Sequence, residues 1–98
     1  MTRWALLFAL TGCLNKDRFN EKYADEVCLL YSECEVLDLE GYSTARTCRQ
    51  TLGQYTDQCA EFDSAVAKSC IKAIQGFSCE DVHERGLPVI CDDVCNQD

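Results

Sequence analysis

From about Asp17 to Leu37 the apolar residues Phe19, Tyr23, Val27, Leu30, Cys34 and Leu37 recur at steps of three and four. That spacing keeps one face of a 3.6-residue helix buried and predicts a first helix over this stretch. Gly41 breaks the pattern, and Ser43 can cap a second helix carrying the stripe Ala45, Cys48, Leu52 and Tyr55. Asp63 is a suitable cap for a third helix with the stripe Val66, Cys70, Ala73, Ile74 and Phe77. This helix is expected to close at Gly76 in the left-handed conformation. Ser78 followed by Asp81 forms a capping pair for a short helix through His83 and Arg85, and Pro88 suits the first turn of a last helical piece reaching Cys95. No stretch alternates apolar and polar residues over strand length, so no sheet is expected. The predicted class is all-α: a small disulfide-stapled bundle of four or five short helices after a cleaved leader.

The first thirteen residues follow a different rule. MTRWALLFALTGC has one positive residue, Arg3, then an apolar run from Trp4 to Leu10, then small residues before Cys13. This is the layout of an export signal. It is shorter than the ~20 apolar residues of a spanning helix, and Asn15, Lys16 and Asp17 interrupt it at once. Leu10-Thr11-Gly12-Cys13 resembles the lipobox of bacterial lipoproteins. The resemblance covers the leader alone. It implies a diacylglycerol joined to the Cys13 sulfur through a thioether, followed by cleavage before Cys13. The chain would then divide into a signal peptide over 1–12, a lipid-anchored N-terminus over 13–16 and a Cys-rich helical domain over 17–98. An ordinary signal-peptidase site wants an A-x-A-like arrangement, which Leu10 fits badly.

Cysteine parity points to the same residue. The chain has nine cysteines. Without Cys13 there remain Cys28, Cys34, Cys48, Cys59, Cys70, Cys79, Cys91 and Cys95, an even set able to close completely in an oxidising compartment. Eight cysteines allow 105 pairings, among which sequence does not choose. At about 100° per residue Cys34 falls in the apolar stripe of the first helix and Cys28 on roughly the opposite flank. Those two are therefore not expected to pair. The first helix is expected to be central, with another helix on one side and a loop or the tail strapped across the other. A domain this small draws only a few kcal/mol from its core, whereas each bridge nominally contributes about 3 to 5 kcal/mol. Reduction is accordingly expected to unfold it.

The formal charge is −8, and removal of Arg3 with the leader takes it to −9. A surface so acidic is expected to repel phosphate backbones and anionic headgroups, which argues against nucleic acid and against a basic membrane-surface role. Candidate chemistry is sparse. Cys91 and Cys95 stand one helical turn apart near His83, but zinc motifs use such close pairs twice over, and disulfide use is expected instead. No C-x-x-C or C-x-x-C-H occurs. His83 reads as a solvated helix residue. A Cys-His nucleophilic pair would need a spare activated thiol. The carboxylates Asp38, Glu40, Glu80, Asp81, Asp92 and Asp93 lack the calcium-loop pattern and read as solvated faces. Tyr31, Tyr42 and Phe62 are assigned to core or rim packing.

The expected role is that of a membrane-anchored, non-enzymatic envelope lipoprotein with no cofactor and no metal, serving as an interaction or structural module. A small-ligand or metal carrier is the alternative. Its expected partners are the membrane, through the lipid on Cys13, and an envelope protein. Leu14, in place of the Asp that resembles an inner-membrane retention signal, favours the outer membrane. Saposin-like lipid binders share the general description of cysteine-stapled helices, but they use six cysteines. Neither their fold nor their activity is carried over.

Overall fold

The computed structural model describes residues 14–96; the leader, Cys13 and the last two residues lie outside the described residues. Helix α1 spans Lys16–Glu33. Its start is set by Asn15, whose extended backbone leaves the side-chain oxygen free to accept the Arg18 N–H at 2.8 Å. Asp17 adds a negative charge where the helix dipole favours one. The buried residues form two adjoining stripes, Phe19, Tyr23, Val27 and Leu30 beside Asn20, Ala24, Cys28 and Tyr31. The face is this wide because two other helices pack against α1.

The expected continuation to Leu37 is not found. Cys34 caps the helix, Glu35 turns left-handed at φ 59°, and Val36 donates back to the Tyr31 carbonyl at 2.9 Å while Glu35 donates to that of Ser32 at 3.1 Å. This is a Schellman closure with a non-glycine residue in the left-handed position. Val36 and Tyr31, both buried, supply its accompanying apolar contact.

Helix α2 covers Ala45–Leu52, and its cap is Thr44, one residue beyond the expected Ser43. The Thr44 hydroxyl accepts the Thr47 N–H at 3.1 Å, which Ser43 is placed too early to do. Helix α3, Ser64–Gln75, begins as expected at Asp63, whose carboxylate accepts the N–H groups of Ala65 and Val66. It closes at Gly76 with φ −95°, not in the left-handed region, because the Gly76 N–H still reaches the Lys72 and Ala73 carbonyls. Ala67, Cys70, Ile71 and Ile74 are its buried residues, a face turned by about one position from the expected stripe. Helix α4, Cys79–Arg85, opens with the full Ser78–Asp81 capping box and ends at Gly86, φ 82°. A 3₁₀ turn over Val89–Asp93 follows Pro88 and stops short of Cys95.

Two strands that were not expected, β1 at Glu61–Phe62 and β2 at Cys95–Asn96, pair antiparallel with Glu61 opposite Asn96 and Phe62 opposite Cys95. Two residues are too few to show alternation. The pair is held by the adjoining Cys59–Cys95 bridge and by Asp63 N–H donating to the Val94 carbonyl at 2.9 Å. The structure is thus mostly helical, with α1 at its centre packed on α2 and α3.

The eight downstream cysteines close four bridges, Cys28–Cys48, Cys34–Cys79, Cys59–Cys95 and Cys70–Cys91. Cys28 and Cys34 take different partners, yet Cys28 does not sit on an outer flank. It is fully buried against α2, while Cys34 is the half-buried member at the helix end. The strap across the other side of α1 is the first residue of α4. The tail instead ties itself to α3 through Cys91 and to the preceding turn through Cys95.

Candidate functional site

Sequence alone sorts α1 into two charged edges. Asp17, Glu21 and Asp25 recur every four residues along one edge, and Arg18 and Lys22 along the next. In the fold, the acidic edge lines a shallow cleft toward α2, together with Asn20, Arg49 and Asp57. The basic edge faces α3, where Lys68 and Lys72 repeat the same spacing. The four cations border an open groove of about 660 Å³. Ile71 forms a buried floor, Leu14 lies half-buried within the lining, and all four basic side chains are exposed. At the end of α3 the Gln75 amide, also lining the groove, donates to the Glu26 carboxylate at 3.2 Å and ties the two helices together. The net charge of −8 therefore conceals a segregated distribution. The groove lining carries four basic side chains and no carboxylate, with Glu26 held at its end by Gln75.

The other candidates are accounted for by packing. Cys91 and Cys95 are each oxidised to a different partner, so neither offers a thiolate to a metal. Among the described residues no group of three or more His, Cys, Asp or Glu side chains is placed to hold a metal ion. His83 is exposed on α4. Of the carboxylates, Asp81 has a structural duty. The backbone N–H of Ser78, then its side chain, hold the Asp81 carboxyl below the usual carboxylate range. Asp38, Glu40, Glu80, Asp92 and Asp93 are exposed. Tyr31 is buried and stacks on half-buried Tyr42 with ring centroids 6.5 Å apart, and Phe62 packs on Phe19 at 5.8 Å. Tyr23 and Tyr55 stack at 4.7 Å, and the Tyr55 hydroxyl donates to the Cys91 carbonyl at 2.6 Å. Burial pushes the Tyr23 phenol far above its ordinary value and that of Tyr31 up to about 12.

One buried polar pair escaped the sequence reading. The Asn20 carbonyl oxygen accepts both the backbone N–H of Thr56 at 3.0 Å and its hydroxyl at 2.9 Å, pinning the turn after α2 to α1. An Asn followed by Glu21 and Lys22 on a helix reads as solvated. Its position one residue after Phe19, on the second buried stripe, was the available signal. Comparison with known proteins returns no match to any protein-family model, curated sequence or solved structure.

Proposed function

We propose that the chain is the precursor of a bacterial envelope lipoprotein, anchored through a diacylglycerol on Cys13 and serving as a non-enzymatic interaction or structural module. The observation that carries this reading is the pairing of all eight downstream cysteines with one another, which leaves Cys13, the last residue of the lipobox-like Leu10-Thr11-Gly12-Cys13, outside the disulfide framework. A thiol with no disulfide duty at that position suits a lipid acceptor. Acylation at two or three chains would hold the protein on the membrane for good, since each buried methylene contributes about 0.8 kcal/mol. Leu14 next to the anchor favours the outer membrane as its address.

The test is intact and peptide-level mass spectrometry of the chain expressed with its leader in a bacterial host, with and without reduction and alkylation. The expected product begins at acylated Cys13 and carries no alkylatable thiol. A chain retaining residues 1–12, or one cleaved elsewhere with Cys13 alkylatable, refutes the anchor.

A further inference from the structure

We propose that the cationic groove between α1 and α3 docks the domain onto the phosphate headgroups of anionic phospholipid, so that the domain lies on the membrane with this face down. The inference rests on the anchor proposed above for its geometry. Leu14 belongs to the groove lining and is the covalent neighbour of Cys13, and Asn15 is already the cap of α1. Only two residues separate the acyl attachment point from the helix, and an extended residue spans about 3.6 Å at most. The domain cannot stand away from the bilayer on so short a tether. The face beside Leu14 is the face held at the surface.

Charge decides whether that contact is tolerable. The anchored chain, of formal charge −9 once Arg3 leaves with the leader, would be repelled by an anionic leaflet in most orientations. The face bearing Arg18, Lys22, Lys68 and Lys72 is the exception. The carboxylates of Asp17, Glu21 and Asp25 lie on the adjoining edge of α1, turned toward α2, and none of them lines the groove. Glu21 and Asp25 are i,i+3 neighbours of Arg18 and Lys22, about 5–6 Å apart at Cβ, so they reduce the attraction on the α1 side, while Lys68 and Lys72 on α3 have no acidic neighbour at that spacing. Lys68 and Lys72, four residues apart on α3, repel with no acidic side chain at i,i+3 or i,i+4, whereas on α1 Glu21, Asp25 and Glu26 offset Arg18 and Lys22. A phosphate-rich surface converts the α3 repulsion into attraction, each basic residue near an anionic leaflet strengthening association about fivefold. Ile71 and Leu14 give the groove an apolar floor suited to the glycerol and upper acyl region.

The experiment uses the purified full-length expression product, reconstituted by detergent removal into vesicles of phosphatidylcholine alone or mixed with phosphatidylglycerol. A water-soluble acetylating reagent then reports the accessibility of Lys22, Lys68 and Lys72, with Lys16, outside the groove lining, as internal reference. Labelling of the three groove lysines should fall severalfold relative to Lys16 on the anionic vesicles alone, and added salt should restore it. The double variant Lys68→Glu, Lys72→Glu alters two exposed positions and should keep the helical dichroism of the parent while abolishing protection of Lys22. Equal labelling on both vesicle types overturns the proposal. So does protection by inorganic phosphate on phosphatidylcholine vesicles, which would assign the groove to a free anion. The two readings fail separately: acylated Cys13 with unprotected lysines sinks the docking face alone, and protected lysines on a chain with unmodified Cys13 sink the anchor alone.

Discussion

Replacing Asn20 with Ala removes a single acceptor that serves two donors. Thr56 is fully buried and Asn20 is 7 % exposed, so both Thr56 donors lose their partner out of reach of bulk solvent. Leaving a buried donor unpaired costs about 1–3 kcal/mol. Taking the low end of that range for each of the two donors, the net loss is about 2–3 kcal/mol, with the bridges intact in both states. For a domain of this size that corresponds to a fall in melting temperature of roughly 10–20 °C. The assay is thermal unfolding of the oxidised protein by circular dichroism, with urea unfolding to check that the m-value is unchanged. Thr56→Val deletes the hydroxyl donor and keeps the backbone N–H, so it should cost about 1 kcal/mol. Combined with Asn20→Ala it should show a coupling energy of about 1 kcal/mol, because the second change removes a group that the first left unpaired. A melting shift under about 3 °C for Asn20→Ala, with additive effects in the double variant, would refute the pin.

Two further outcomes follow from the backbone and the aromatic cluster. Glu35 is exposed and left-handed at φ 59°, a conformation costing an L-residue about 1–2 kcal/mol, so Glu35→Gly should raise stability by about 0.5–1 kcal/mol after the added chain entropy of glycine, and Glu35→Val should lower it; unchanged melting in both would show that the turn carries no strain. Desolvation raises the Tyr23 and Tyr31 phenols above their unfolded value. Their neutral forms therefore stabilise the fold below pH ~10, and each such contribution is lost by about 1.4 kcal/mol per pH unit as the pH rises toward the folded value. Tyrosinate absorbance from these rings should rise together with the loss of near-ultraviolet dichroism, and titration near pH ~10 with the dichroism intact would contradict their burial.

The helices were legible because each carries enough turns for a 3.6-residue period to show, and Asp63 and Ser78 could be drawn from the short list of side chains that accept an N–H at a helix start; Asn15 belongs to the same list but was read only as the end of the apolar run. Helix ends were harder. Glu35 occupies a position that glycine normally advertises, and its conformation is imposed by Val36 and Tyr31 meeting in the core. At Gly76 the glycine is present and the left-handed turn is absent; the chain goes directly into the extended Ser78 cap of α4. The set of bridging cysteines was readable from parity, whereas their pairing depended on where α2, α4 and the tail cross, which is tertiary information. Cys28 shows the error this causes. A stripe drawn for one buried face placed it outside, and the structure buries it because α1 has two packed faces.

The cationic groove was missed for a different reason: a net charge is a sum, and a sum discards position. Its signal was nevertheless in the sequence, since Arg18 and Lys22 fall on one edge of a predicted helix and Lys68 and Lys72 on one edge of another. Helical periodicity alone makes each pair a local patch. What it could not supply was the packing of α3 beside α1, which turns two weak patches into one groove and brings Leu14 into its lining. Reading charge by helical edge, as apolar residues are read, would have flagged both pairs. An acidic domain next to a membrane should then be judged by the face its tether holds against the surface, because charges beyond about 8–10 Å on the opposite side are largely screened.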